Sequence, residues 1–132
     1  MSTVLEIAVF SVEAAISALK AGAHRIEFCE NPQEGGTTPS FGSLQTLRSF
    51  TTQPVFPIIR PRGGDFLYSS IEFEVMKSDL LTIKELGYKG AVIGLLNADG
   101  SIDTKRTKEL VDLAGPSMQI SFHRAFDRCQ NP

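Results

Sequence analysis

The chain has 132 residues, of which 42% are hydrophobic and 21% are charged, as in an ordinary globular domain with one core. Thirteen basic and fifteen acidic residues give a formal net charge of −2, without a run of lysine or arginine. This composition argues against nucleic-acid and membrane-surface partners. The N-terminal stretch lacks the basic region of a signal peptide, and no segment resembles a membrane span. We therefore expect a single cytoplasmic domain over residues 1–132.

Hydrophobic periodicity predicts five strands that alternate with four helices. The predicted strands are residues 4–10, 25–29, 54–59, 91–95 and 118–123. The predicted helices lie between Ser11 and Gly22 and at residues 41–48, 70–86 and 104–114. The expected N-caps are Ser11, Ser40 and Asp103. The expected core contacts of the longest helix are Ile71, Val75, Leu80, Ile83 and Leu86.

Strands that alternate with helices indicate a parallel sheet of right-handed βαβ units, in an open doubly wound sheet or in a (β/α)8 barrel. The strands alternate between polar and apolar residues: Glu6 and Ala8 share one face of the first strand, and Ile7 and Val9 share the other. A doubly wound sheet is covered by helices on both faces and favours continuously apolar strands. The alternation therefore favours a TIM-type (β/α)8 barrel, of which this chain covers about the first four and a half βα units.

Polar residues collect where the predicted strands end, which is the rim that carries active sites in barrels. At the strand ends lie Glu27, Cys29, Arg60 and His123. In the loops beyond them lie Arg62, Asp65, Tyr68 and Asp127, and Glu6 lies one layer deeper. Structural roles remain open for several of them. Glu6 or Glu27 could pair with a neighbouring arginine, His123 could bond a carbonyl, and Cys29 could be a small buried apolar residue. His24, at the opposite end of its strand, is expected to be structural.

Two loops have the composition of anion-binding segments. Residues 60–69 place two arginines around a proline, followed by two glycines, an aspartate and a tyrosine. The same residues are also ordinary turn composition. Residues 35–40, Gly-Gly-Thr-Thr-Pro-Ser, could hold an anion on backbone amides, although they are not a Walker loop.

Five segments together closely resemble the CutC family, named for copper homeostasis. They are residues 5–7 (LEI), 25–29 (RIEFC), 34–40 (EGGTTPS), 57–66 (PIIRPRGGDF) and 121–127 (SFHRAFD). The resemblance implies a TIM-type barrel, a cytoplasmic location, a homodimer and copper binding. Two departures matter. Ala8 and Val9 stand where related sequences often carry cysteine, and strands six to eight of a complete barrel are absent. Two copies would supply ten strands rather than the eight of a barrel, so a simple dimer does not close it. We therefore expect a truncated gene product or a chain completed by a complementary polypeptide, with open strand edges at the first and fifth strands.

Two classes of function follow. The first is a copper homeostasis protein whose metal ligands are Cys29, His123 and Cys129, the two thiols being the only cysteines. The second is an enzyme for a small anionic substrate. Its substrate-binding residues are Arg60, Arg62, Asp65, Tyr68 and Arg124, and its proton-transfer residues are Glu6, Glu27, His123 and Asp127. The expected ligand is therefore copper or a small anion, and whether the protein is an enzyme is left open.

Overall fold

The computed structural model describes residues 5–122, which form five strands and four α-helices in alternation. The strands are β1 Glu6–Val9, β2 Arg25–Phe28, β3 Val55–Pro57, β4 Gly90–Ile93 and β5 Gln119–Phe122. The helices are α1 Val12–Lys20, α2 Phe41–Phe50, α3 Ser70–Glu85 and α4 Thr104–Ala114. A short 3-10 helix, Pro32–Glu34, lies between β2 and α2 and is the one element of this part that the sequence did not predict.

All strand pairs are parallel and follow the chain order. β1 pairs with β2, β2 with β3, and β4 with β5. An isolated parallel bridge between Ile58 and Val92 connects the β3 and β4 segments, and Ile59 N donates to Val92 O at 2.8 Å. An open doubly wound sheet reverses its strand order at a switch point, and residues 5–122 show no such reversal. The predicted α/β fold with parallel strands is confirmed.

Polar side chains cap the helices where the sequence predicts them. The Ser11, Ser40 and Asp103 side chains accept from the amides of Ala14, Ser43 and Arg106 at 3.0–3.1 Å. Each bond satisfies one amide that the first helical turn leaves without a partner. α3 begins with a complete capping box, in which Glu72 N donates to Ser69 Oγ and Ser69 N donates to Glu72 Oε1.

The main core lies between one face of the sheet and the helices. β2 shows the predicted alternation, because Ile26 and Phe28 are fully buried in this core. The opposite, inner face of the sheet carries a smaller apolar cluster, formed by Cys29, Phe56, Ile58 and Val92. Gly90 makes room on that face, since a Cβ there would lie 2.5 Å from the Phe56 ring.

The predicted core face of α3 is partly wrong. Ile71 and Val75 are 76% and 44% exposed. The buried residues are Phe73, Met76, Leu80 and Ile83. These four recur at three- and four-residue spacing along one stripe, whereas Ile71 and Val75 lie outside it. Apolar residues on both sides of the helix made the inward face ambiguous in the sequence.

Candidate functional site

The inner face of β1 and β2 carries three charged side chains, Glu6, Arg25 and Glu27. The Glu6 carboxylate pairs with the Arg25 guanidinium, which also stacks over the Phe56 ring with 4.5 Å to the centroid. Glu6 therefore forms the ion pair with a neighbouring arginine that the sequence left open as a structural role, and Arg25 neutralises its charge. A proton-transfer role for Glu6 stays a prediction that this pairing does not favour.

Glu27 lies next to this pair without a cation of its own. It is half-buried, and no salt bridge to it occurs within residues 5–122. In the strand register Glu27 stands between Ala8 on β1 and Phe56 on β3, so one neighbour is small and the other apolar. Burial raises the pKa of the Glu27 carboxyl, the Glu6 charge raises it further, and Arg25 opposes the rise. A carboxyl with a raised pKa holds its proton more firmly than an ordinary carboxyl, which favours a role as a proton donor.

Cys29 is packed as an apolar residue. It is 2% exposed, and its Sγ lies 3.9 Å from Glu27 Oε1. Burial raises the pKa of the Cys29 thiol to about 12, with a further contribution from the Glu27 charge. Copper binds the thiolate rather than the thiol, so this environment does not favour Cys29 as a metal ligand. Within the described residues, no group of three or more His, Cys, Asp or Glu is placed to hold a metal ion.

Arg60 joins the two loops that follow β2 and β3. Its Nη1 donates to the carbonyls of Glu34 and Gly36 at 2.6 and 2.9 Å, and its Nη2 donates to Gly64 O at 2.9 Å. The guanidinium also lies over the Phe66 ring, 5.0 Å from the centroid. Arg60 thus fixes both loops through neutral carbonyls, and a role in substrate binding stays a prediction.

The Arg62 guanidinium forms hydrogen bonds with its own loop and an ion pair with α3. Its Nε donates to Glu72 Oε2 at 2.6 Å, and its Nη2 donates to Asp65 Oδ1 at 3.1 Å and to Leu67 O at 2.8 Å. The Asp65 carboxylate in turn accepts from Leu67 N at 3.1 Å. These bonds disfavour the predicted pair of free arginines around an anion. The partner that sequence reasoning missed is Glu72, although Ser-Ser-Ile-Glu at residues 69–72 is the sequence signature of a capping box.

Tyr68 lies under the Arg62 guanidinium, which is 5.0 Å from its ring centroid. The residue is 3% exposed, and its hydroxyl lies next to the Arg60 guanidinium without forming a well-aligned hydrogen bond among residues 5–122. Burial raises the pKa of Tyr68 to about 12, although the charges of Arg60 and Arg62 oppose the rise. At neutral pH the Tyr68 phenol is therefore a protonated donor.

The loop before α2 does not offer free amides to an anion. The amides of Gly35, Gly36, Thr37 and Thr38 donate to carbonyls of Pro32, Asn31, Glu30 and Arg60, and Ser40 N donates to Glu30 Oε1. The predicted backbone cradle at residues 35–40 is therefore wrong, because these donors are used inside the protein.

His24 and the candidate site residues near the C-terminus lie away from the groups described above or beyond the described range. His24 Nδ1 accepts from Leu5 N at 2.8 Å, which fits the structural role expected for it. His123, Arg124, Asp127 and Cys129 lie outside the described residues. The structure thus brings Glu6, Glu27 and Cys29 together on the inner face, and Arg60, Arg62, Asp65 and Tyr68 in the loop after β3.

Comparison with known proteins identifies the family. The CutC family model matches residues 3–132, which is nearly the whole chain. The chain belongs to the CutC family. A family protein CutC from Serratia proteamaculans is 51% identical over 128 residues, covering 97% of this chain and 50% of the relative. One from Sodalis glossinidius is 54% identical, with the same coverage. The chain thus spans about half the length of these CutC relatives.

Solved structures give the same result for the fold. A candidate copper homeostasis protein CutC from Streptococcus agalactiae superposes with a TM-score of 0.88 at 31% identity, over 96% of this chain and 62% of that one. A candidate phosphonomutase from Burkholderia cenocepacia superposes with a TM-score of 0.59 at 16% identity, over 90% of this chain and 53% of that one, which shows a shared fold alone. In the part of this CutC chain that the structure describes, no helix is long and apolar enough to cross a membrane.

Proposed function

We propose that this chain forms the first four and a half βα units of a CutC-type TIM barrel that serves copper homeostasis in the cytoplasm. The observation that carries the proposal is the family match over residues 3–132. The parallel strand order β1 to β5 supports the barrel part of the proposal, because neighbouring strands follow the chain without a switch point. The copper part is carried over from the family and from the name of the Streptococcus relative.

The environment of Cys29 narrows the choice of copper ligands. Copper(I) prefers two or three soft donors, and the neighbours of Cys29 in the inner cluster are Phe56, Ile58 and Val92. Within residues 5–122 this cluster gives the buried thiol no second soft donor. Of the three predicted ligands, Cys129 and His123 are therefore the ones we expect copper to need.

An anaerobic copper(I) titration against a chromophoric chelator tests this proposal. The full chain, Cys29→Ala, Cys129→Ala and His123→Ala are compared after circular dichroism has verified folding. We expect one-site binding that survives in Cys29→Ala and falls at least tenfold in the other two variants. Binding no tighter than that of a free thiol in all four proteins would refute a copper role for this chain.

Completion of the barrel is part of the same proposal. In the described sheet β1 pairs only with β2, and β5 pairs only with β4, so each outer strand presents an open edge. Open edges of this kind favour pairing with another chain. We propose that a second copy or a complementary chain covers them, and sedimentation equilibrium on the 132-residue protein distinguishes this from a monomer.

The geometry of Glu27 supports a second candidate, an enzyme that transfers protons at the inner face. Glu27 is half-buried, without a cation of its own, and its pKa is raised by burial, whereas the neighbouring carboxylate Glu6 is paired. Two carboxylates in such different environments are typical of an acid–base site. In this reading His123 or Asp127 moves the second proton. Turnover of small phosphorylated or carboxylated compounds that is lost in folded Glu27→Gln and retained in Cys29→Ala would favour the enzyme.

A further inference from the structure

Arg60 is a buried charge without a counter-charge in the described structure. Its side chain is 2% exposed, and the carboxylates that form salt bridges within residues 5–122 pair with other cations. The three hydrogen bonds of the guanidinium go to neutral carbonyls. Removing an unpaired charge from water is costly, and buried charges in proteins are usually paired. A negative group near Arg60 would therefore be strongly favoured.

The guanidinium also keeps N–H donors that form no well-aligned hydrogen bond. Arginine has five N–H groups, of which Arg60 uses two on Nη1 and one on Nη2. Its Nε is buried and makes no well-aligned hydrogen bond in this part of the chain, and the neutral Tyr68 hydroxyl lies beside the guanidinium without supplying a counter-charge. Nε and Nη2 form the edge with which Arg62 holds the carboxylate of Glu72. The corresponding edge of Arg60 carries no such carboxylate.

A cleft of about 530 Å³ opens beside Arg60, between the loops that this residue joins. Its lining residues are Pro32, Gln33, Glu34, Gly35, Arg60, Gly64 and Asp65. The amide of Gly64 donates to no other group of residues 5–122. Two carboxylates face the cleft. Asp65 is already paired with Arg62, whereas Glu34 is exposed to solvent.

We propose that this cleft binds a small oxyanion, a phosphate or carboxylate group, whose charge is balanced by the buried guanidinium of Arg60. The exposed Glu34 carboxylate opposes such binding. Solvent screens an exposed charge far more than a buried one, so the attraction of Arg60 outweighs this repulsion. The site differs from the two-arginine arrangement expected from the sequence, because Arg62 is held by Glu72 and Asp65. It is also independent of copper.

Calorimetric titration with inorganic phosphate and with acetate, at constant ionic strength, tests the proposal on the full chain. Three variants accompany it: Arg60→Lys, Glu34→Gln and Glu85→Gln. Glu34→Gln removes the opposing charge and leaves the backbone carbonyl that accepts from Arg60. Glu85→Gln is the matched control, because Glu85 ends the 16-residue helix α3 and lies roughly 24 Å from its start near the cleft.

We expect saturable binding of at least one of the two anions, strengthened about threefold by Glu34→Gln and unchanged by Glu85→Gln. Arg60→Lys keeps the charge but loses the planar donor edge, so we expect at least tenfold weaker binding. If Arg60→Lys does not fold, the comparison of Glu34→Gln with Glu85→Gln still tests whether the anion binds in this cleft. The proposal is overturned if neither anion binds saturably, or if Glu34→Gln and Glu85→Gln change the affinity equally. The copper titration has no bearing on either result.

Discussion

Arg62 and Glu72 form a bidentate ion pair that connects the loop after β3 to helix α3. Nε donates to Oε2 at 2.6 Å and Nη2 donates to Oε1 at 3.3 Å. The same carboxylate accepts from Ser69 N at 2.8 Å and so completes the capping box of α3. One side chain therefore neutralises the arginine and begins the helix, which couples the loop conformation to the helix start.

We predict that Glu72→Ala lowers the melting temperature by several degrees and that Glu72→Gln lowers it by less. Glutamine can keep the capping bond, whereas alanine loses both the cap and the ion pair. The matched control is Glu74→Ala, because Glu74 is exposed and its salt bridge within residues 5–122 is with Lys77, one helical turn away. Thermal unfolding followed by circular dichroism measures all three. Equal melting temperatures for Glu72→Ala and Glu74→Ala would contradict the coupling.

The pH dependence of this pair has a definite sign. The hydrogen bond from Arg62 is the main cause that lowers the pKa of the Glu72 carboxyl, and the Ser69 amide adds to it. A lowered pKa stabilises the folded state above the pKa of the unfolded chain and ceases to do so as pH falls through the folded value. The difference in melting temperature between wild type and Glu72→Gln should therefore shrink as the solution becomes strongly acidic.

Glu27 should show the opposite behaviour. Its pKa is raised by burial, so the folded state favours the protonated form, and the ionised form at neutral pH is unfavourable. We predict that Glu27→Gln stabilises the protein at pH 7 by less than about 1 kcal/mol, since the site is partly solvated. The gain should disappear as pH falls below the ordinary range of a carboxyl. Urea unfolding at a series of pH values measures it.

Glu6→Gln is the matched control for this prediction. Glu6 lies on the same face, but its carboxylate is paired with Arg25, so its removal should not stabilise the protein at pH 7. If both variants raised the free energy of unfolding equally, general relief of negative charge rather than the environment of Glu27 would be the cause.

Local signals in the sequence predicted the helices and strands well. The caps at Ser11, Ser40 and Asp103 act within four residues, and the polar–apolar alternation of β2 reports directly which face is buried. The roles of the arginines could not be predicted in the same way. The carbonyls that hold Arg60 come from residues 34, 36 and 64, and only the folded loops bring them together. Composition alone cannot distinguish an arginine that binds a ligand from one that binds its own loops.

Substitution of Gly90, the first residue of β4, should destabilise the protein because its neighbours leave no room for a side chain. A Cβ at this residue would lie 2.5 Å from the Phe56 ring and 2.7 Å from Gln119 O. The Phe56 ring can move, but the backbone of β5 can do so only by disturbing its pairing with β4. We predict that Gly90→Ala destabilises the protein by about 3 kcal/mol, at the upper end for overpacked sites.

Gly42 provides the matched control for that substitution. It lies in the first turn of α2, and the nearest atom to a Cβ there is Ser40 Oγ at 3.9 Å. Gly42→Ala should therefore stabilise the protein by about 0.5–1 kcal/mol, because alanine restricts the unfolded chain and fits the helix. Urea unfolding of both variants that gave changes of the same sign would contradict the packing argument.

Cys29 should be chemically inert while the protein is folded. Burial raises the pKa of its thiol to about 12, whereas an exposed cysteine titrates at about 8.5, so at pH 8 the folded protein holds roughly a thousandfold less thiolate. We predict that iodoacetamide modifies Cys29 at least a hundredfold more slowly in the folded Cys129→Ser variant than in the same variant in urea. Mass spectrometry of the peptide that contains Cys29 measures both rates.

Gly36→Ala supplies the contrast, because a Cβ at this left-handed position would lie 3.2 Å from Cys29 Sγ and should loosen the packing that protects the thiol. Equal rates with and without urea in the Cys129→Ser protein would show that Cys29 is accessible, and it would again be a reasonable copper ligand.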